Sequence, residues 1–462
     1  MEKIVKDYLE TLGYKENIDE EQETRVTDWL EWYKGTTKKH KYSIYNGISY
    51  NTLTLKSLNI ASQSCNDLSD FFFNEKLDIT IDDENAQKAI KECLDQNNFL
   101  HNANNLMQLT EALGTGAIVS YLDNGVLKLN FINATNIVIL EADKDTVNSV
   151  MFWSKKKVKD GYEYYFNTHI LTDKGYVIKN RKCIDRKGSI EEVPIDEKIA
   201  EINTNSYIPR FAILKTCLIN NCDINSPYGI SIYENAKDNI LAIDRAYDSL
   251  DNEIALGRKR IYVKGGASKF NTAPDGTIRP IFDSNDTVYY QLPGEENDPL
   301  ITESKFDLRI DELTNDLQAQ LNLYTSKIGL GHNYYKFKAG EVYTNTDQVM
   351  SSNSDVYRKI KKQENIITYA LTNLIYGIAQ LIGITNKFNI SIDYDDTIIE
   401  NTDSIRAQAQ SEFNNKLISK AQYYRDVYGL KDDSAIKFAE QMNNEIASEE
   451  ITEGTEPSIG EW

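Results

Sequence analysis

The chain of 462 residues is long enough to bury more than one core, and its 40% hydrophobic and 26% charged content is that of a globular protein. With 71 acidic against 51 basic side chains the net charge is −20, which excludes a nucleic-acid binder built on a basic stripe. Such acidity fits a crowded soluble protein. It fits equally a surface that must pass a polyanion without gripping it, because phosphate affinity needs Lys and Arg. Five scattered cysteines (Cys65, Cys93, Cys183, Cys217, Cys222) imply no disulfide framework, and Met1–Lys6 has no apolar signal core, so a reducing compartment and no secretion are expected.

In chain order, residues 1–110 read as mainly helical. Ile4, Tyr8 and Leu9 open an amphipathic turn, Val26, Trp29 and Leu30 continue after an acidic run, and Leu58, Ala61, Cys65, Leu68 and Phe72 fall at helical spacing. Residues 115–185 switch to a period of two, with Leu127, Leu129 and Phe131 alternating with polar neighbours and Asp160-Gly161 as a hairpin turn, which predicts a meander of four to six strands. After an irregular, Asn-rich stretch, Ser226-Pro227-Tyr228-Gly229 leads into a first long helix, Asn235–Gly257, with Ile240, Ile243, Tyr247, Leu250 and Ile254 on one face. A second, Ser304–Ile328, carries Phe306, Ile310, Leu313, Leu317, Leu321, Tyr324 and Ile328. Between them an insert is strand-like at Arg260–Val263 and Thr287–Leu292 and too short for a core of its own.

A glycine-bounded loop, Gly329–Thr344, precedes a helical pattern of nearly forty residues. Its uncharged stretch Asn365–Asn386 is long enough to span a bilayer, but Thr368, Thr372, Asn373 and Gln380 interrupt it, and a helix buried on most sides within protein is the better reading. Residues 388–399 alternate as a strand, 403–446 return to helix in two pieces broken near Gly429, and Glu440–Trp462 reads as an acidic, frayed tail. The fold class expected is α+β.

The search for catalytic chemistry returns little. No phosphate-cradling loop is present, and Leu113-Gly114-Thr115-Gly116-Ala117 is followed by a strand rather than a helix. The four histidines have no metal-ligand spacing, so no cofactor is expected. Asp244, Asp248 and Asp251 share a helix face, and Asp393, Asp395 and Asp396 follow a strand. A divalent ion held as in a nuclease is the alternative reading of either cluster, and a solvated acidic face the preferred one. Basic residues gather at Arg258, Lys259 and Arg260, where a helix dipole favours cations, and at Lys336 and Lys338 beside Asn333, Tyr334 and Tyr335, where aromatics interleave with lysine as in nucleic-acid contacts.

Several blocks in order carry a family resemblance. They are Trp29-Leu30-Glu31-Trp32-Tyr33-Lys34-Gly35 with His40-Lys41-Tyr42 and Tyr45-Asn46-Gly47; Asn59-Ile60-Ala61 to Lys76; Ala112–Ala117; Ser226–Tyr233 with Gly257–Ile261; and Asn345-Thr346-Asp347-Gln348-Val349-Met350-Ser351 to Lys362. In these the chain resembles portal proteins of tailed bacteriophages, the group found in phages of low-GC Gram-positive bacteria. Where that family commonly has Thr-Ala-Thr-Glu, this chain reads Thr-Asn-Thr-Asp, which keeps a capping hydroxyl and an acid at a helix start.

The resemblance implies a non-enzymatic, closed ring of about twelve subunits at one capsid vertex. It implies a wing in 1–234, stem helices at 235–257 and 304–328, a small α/β clip at 258–303 and a tunnel loop at 329–345. A long wing helix and strand at 346–400, a helical crown at 401–450 and an acidic tail at 451–462 complete it. Ile243, Tyr247, Leu250, Leu313, Leu317 and Leu321 would pack the stem. Implied partners are double-stranded DNA, the terminase large subunit, a head-completion or adaptor protein, scaffold and major capsid protein. No membrane is implied. The place implied is the virion, with the host cytoplasm during assembly.

Overall fold

The computed structural model describes residues 2–45, 47–74, 77–144, 146–186, 189–257, 260–264, 270–272, 278–280, 289–292, 301–304, 307–336, 346–384, 388–394, 409–428 and 436–439. The chain divides into two compact units, one of Met1–Val342 with Lys359–Ile392, the other of Tyr343–Arg358 with Asp393–Trp462.

The first unit opens with helices α1 (Lys3–Thr11) and α2 (Glu20–Tyr33), the latter capped by Asp19, whose carboxylate accepts from the Gln22 N–H at 2.8 Å. A two-stranded ribbon follows, β1 (Lys41–Tyr45) and β2 (Tyr50–Thr54), then α3 (Ile60–Ser69), the short strand β3 (Asp78–Ile81), α4 (Glu84–Gln96) and the buried α5 (Phe99–Leu113). The region is mainly helical as expected, and the ribbon is the part that expectation did not include. Alternating Tyr42, Ile44, Leu53 and polar residues around Asn46-Gly47 was the signal that could have found it.

The meander expected for 115–185 is present, as six strands. Strands β4 (Thr115–Asp123) and β5 (Val126–Asn133) belong to one small sheet. Strands β6 (Ile137–Asp143), β7 (Thr146–Val158), β8 (Gly161–Thr172), β9 (Gly175–Arg186) and β10 (Ser189–Val193) run as an antiparallel series. Its β7–β8 hairpin turns at Asp160-Gly161, with Val158 opposite Gly161. After the single-turn α6 (Glu197–Ala200), β11 (Glu201–Asn203) adds to β9, and β12 (Phe211–Lys215) joins β4 to complete the small sheet.

The large sheet is buried on both faces. Met151, Tyr164, Phe166 and Cys183 pack under Ile4, Val5, Tyr8 and Leu9 of α1, while Val150, Phe152, Ile137 and Ile139 pack against Ala117, Val119, Ile132 and Phe211 of the small sheet. That is why Val150-Met151-Phe152 is a continuous apolar run rather than an alternating one.

The remaining elements are α7 (Lys237–Leu256), the strands β13 (Arg260–Lys264), β14 (Phe270–Thr272), β15 (Ile278–Pro280), β16 (Tyr289–Leu292) and β17 (Ile301–Ser304), then α8 (Ile310–Ile328), α9 (Thr346–Leu381), β18 (Ile390–Asp393), which pairs with β3, and α10 (Lys420–Tyr428). Strand β13 pairs in parallel with β16 and antiparallel with β17. Among the described residues the insert 258–303 shows strands only, so its expected helical share has no counterpart there. The second long helix starts at Ile310, not Ser304, because pairing of Arg260 with Ser304 holds the chain extended up to that point.

Residues Ile367, Ala370, Leu371, Leu374, Ile375, Ile378 and Ala379 of α9 are buried, and no described helix is long and apolar enough to cross a membrane. In the second unit Phe413 and Tyr423 stack at 4.8 Å, and Phe438 meets the Tyr424 ring edge-on at 5.1 Å. The break expected near Gly429 and the tail after Glu440 lie outside the described residues.

Three sheet edges are sealed in the same way. A primary amide both donates to a carbonyl and accepts from the N–H two residues on, as a neighbouring strand would. Gln87 does this to Ile79 and Ile81 at 3.0 and 2.7 Å, Asn97 to Leu127 and Leu129 at 3.2 and 3.0 Å, and buried Gln363 to Lys215 and Cys217 at 2.7 and 2.6 Å. The β6 edge is met by the Asn17 amide, which donates to the Leu140 carbonyl at 2.5 Å, and by the Tyr228 hydroxyl, which accepts from the Ile139 N–H at 2.8 Å. Unpaired backbone on an edge recruits other strands, and these side chains occupy it.

Candidate functional site: the long helix pair and the loop after it

Helices α7 and α8 pack along one another. Ile240, Ile243 and Leu250 on one and Leu317, Leu321, Tyr324 and Ile328 on the other are buried, as their spacing predicts. Tyr247 and Leu313 are half-buried, and Ile254, expected on the same stripe, is 53% exposed. At the open end Arg309 clamps Glu253 through Nε and Nη2 at 3.2 and 2.9 Å, and this pairing holds the Glu253 carboxyl below its ordinary range. Gly257 suits this end, since a Cβ would come within 2.7 Å of the Glu253 carbonyl oxygen.

The aspartate face of α7 is not a solvated one. Asp244 is fully buried and accepts from the Leu58 N–H at 2.8 Å and from the Ser57 hydroxyl at 3.1 Å, with His40 Nε2 2.8 Å away. Burial raises its carboxyl above the ordinary range, against the lowering effect of the Leu58 N–H and His40. Asp248, also buried, accepts from the Lys56 N–H at 3.1 Å and from Asn252 at 2.9 Å, and Asp251 pairs with the Lys56 ammonium. These carboxylates anchor the backbone of 56–58 and, through His40, the base of the β1–β2 ribbon. The bland expectation for the cluster fails because the chain loops back over the helix. Nor does the cluster gather metal ligands: among the described residues no group of three or more His, Cys, Asp or Glu could hold a metal ion. Asp393 ends β18, and Asp395 and Asp396 lie outside the described residues.

Helix α8 stops at Gly329, whose φ of 82° favours glycine, with the Leu330 N–H bonded to the Thr325 carbonyl at 2.9 Å. The loop then turns back along α8. Asn333 accepts from the Asn322 amide at 2.9 Å, and the Tyr335 carbonyl accepts from Gln318 at 2.8 Å. The Tyr335 hydroxyl donates to Asp67 of α3 at 2.7 Å, so this tyrosine is tied to its own subunit. Burial is the main reason its phenol is pushed far up, and the Asp67 contact adds to it. Tyr334 stands edge-on to it at 5.0 Å and is 38% exposed. Lys336 is the last described residue of the loop. Lys338, Arg258 and Lys259 lie outside the described residues, and Arg260 begins β13.

Blocks far apart in sequence meet at the root of α7. Gly114 and Gly229 press backbone to backbone: a Cβ on Gly229 would lie 2.0 Å from the Gly114 carbonyl oxygen, and one on Gly114 2.5 Å from that of Gly229. The Gly229 N–H donates to the Thr115 hydroxyl at 3.0 Å and the Ile232 N–H to the Glu111 carbonyl at 3.0 Å. Buried Tyr233 donates to the Trp29 carbonyl at 2.8 Å, the Trp29 indole donates to Glu234, and Lys237 joins Glu234 and Asp28 at 2.8 Å each. The glycine-rich turn at 113–117 is thus a packing device for the helix root.

A paired-helix scaffold whose strand segment leads out from one helix and back into the other, with three aspartates of α7 used for internal anchoring, has the build of a structural part. The chain belongs to the family of phage portal proteins of the SPP1 Gp6-like type, whose pattern it matches over residues 12–452. It is therefore a non-enzymatic component of the virion. Subunits of this family form an oligomeric ring at a capsid vertex, the conduit through which DNA is packaged. No curated protein matches the chain.

Proposed function

We propose that α7 and α8 are the stem of the ring, that 258–303 is the clip, that 329–345 is a tunnel loop around the DNA, and that 401–450 is the crown. The observation that carries this reading is the helix pair with its strand segment at the far end and a turned-back loop at the near end. The clip is the docking face for the terminase large subunit during filling and for a head-completion or adaptor protein afterwards. Scaffold and major capsid protein contact the outer surface during assembly. A net charge of −20 keeps the channel from gripping DNA, and Lys336, Lys338 and Arg258–Arg260 supply the few phosphate contacts.

The test is the native mass of the purified protein together with class-averaged electron micrographs, then DNA packaging by Lys336→Ala plus Lys338→Ala. A ring of about twelve subunits with reduced packaging in the double variant is expected. Unchanged packaging would remove those lysines from the DNA path, and a monomer with divalent-dependent DNA cleavage would overturn the whole reading.

A further inference from the structure

The β1–β2 ribbon is a sheet of two strands by itself. Both of its strands are exposed along their whole length, and no third strand pairs with either edge among the described residues. The register sets Tyr42 opposite Leu53 and Ile44 opposite Asn51, so Tyr42, Ile44 and Leu53 share one face. They are 36%, 48% and 42% exposed. Two strands alone are marginal in water, and an apolar face on such a ribbon calls for a cover.

The base, in contrast, is held hard. The Leu55 N–H closes it on the His40 carbonyl at 2.9 Å, and His40, Lys56 and Leu58 are fixed to Asp244, Asp248 and Asp251 of α7. The chain seals its β3, β5 and β12 edges with Gln87, Asn97 and Gln363, and gives the β10 edge Glu191 and Glu192. Among the described residues no side-chain amide caps the ribbon in this way, and the one charge within its strands is Lys41 at the start of β1.

Its charge points to the occupant. Residues 32–66 contain Lys34, Lys38, Lys39, Lys41 and Lys56 and no Asp or Glu, in a chain of net charge −20. Lys34, Lys38, Lys39 and Lys41 are exposed. A basic arm with an apolar face complements an acidic protein surface, and ring formation sets a second copy of this acidic chain beside every subunit. We propose that the β1–β2 ribbon is an intersubunit arm, rooted on α7 and laid with its Tyr42–Ile44–Leu53 face on the adjacent subunit of the ring. The proposal rests on the ring itself, and the experiment separates the two.

The variant Ile44→Asp with Leu53→Asp changes only exposed positions, so the subunit should keep its circular dichroism spectrum. Its oligomeric state is measured by light scattering beside wild type, and a photo-crosslinking benzoylphenylalanine replaces Tyr42 in otherwise wild-type protein. Loss of the ring in the double variant, with Tyr42-site cross-links between subunits in wild type, is the expected result, and the cross-link decides if the two disagree. Intact rings in the variant without cross-links between subunits would overturn the arm. Cross-links to DNA or to a different protein instead would overturn its occupant. A wild-type protein that forms no ring would overturn the ring and the arm together.

Discussion

Replacing Asp244 by Ala tests whether the acidic face of α7 is an anchor. The substitution removes the acceptor of the buried Leu58 N–H and of the Ser57 hydroxyl, and takes away the carboxyl group that stands 2.8 Å from His40 Nε2. Leaving a buried donor without its acceptor costs roughly 1–3 kcal/mol, and the Leu58 N–H and the Ser57 hydroxyl both lose theirs. Asp244→Asn keeps one acceptor oxygen and should cost about half as much. The assay is urea unfolding followed by circular dichroism at one fixed protein concentration, because ring formation stabilises the subunit by mass action. His40→Ala and the double variant complete a cycle, with a coupling of about 1–3 kcal/mol expected between the two sites. An Ala variant within about 1 kcal/mol of wild type, or strictly additive single effects, would refute the anchor. A divalent-dependent DNA cleavage lost in the Asn variant at unchanged stability would refute it more sharply.

Leu321→Lys inserts a charge where 3% of the side chain is exposed, and a loss of several kcal/mol with no ring in micrographs is expected; a normal ring would show that α8 does not pack as described. Gln363→Ala leaves the Lys215 carbonyl and Cys217 N–H without their shared amide, a cost of roughly 2–4 kcal/mol in the same urea assay, and an unchanged midpoint would mean that water replaces the amide. Glu111 is fully buried, and burial lifts its carboxyl from 4.5 to about 7, opposed by the charge of Lys359. Between those values the native state holds a proton that the unfolded chain has released. Stability therefore falls as pH rises from 4.5 to 7, by up to roughly 3 kcal/mol. Glu111→Gln should flatten that slope and exceed wild type in stability at pH 8, whereas an unchanged slope would remove Glu111 as its source.

Much of the secondary structure, and the family, could be read from local pattern. The stripes Ile240–Leu250 and Leu317–Ile328 are the buried faces of α7 and α8, Asp160-Gly161 turns β7 into β8, and the uncharged run is helical to Leu381 and buried along most of that length. These readings hold because side-chain periodicity reports which face is dry. Periodicity fails where burial is on both sides, as in Val150–Phe152, or on neither, as in the β1–β2 ribbon. It also misplaced the start of α8, since a strand pairing made over forty residues away holds Ser304 extended.

What tertiary structure alone decided is who meets whom. Nothing local in Asp244 tells an anchored carboxylate from a solvated one. The difference is made by residues 56–58, brought back across nearly two hundred positions to offer it a backbone N–H. The same holds for Gly229, needed because the Gly114 backbone lies against it, and for the three amides that seal sheet edges, whereas Gly114 also ends α5 at a φ of 82°. Sequence by itself determined the helices, the meander and the kind of protein, because those follow from residue order and spacing. The roles of its charged and amide side chains were fixed only by folding, because a hydrogen bond depends on the distance between two atoms whatever separates them along the chain.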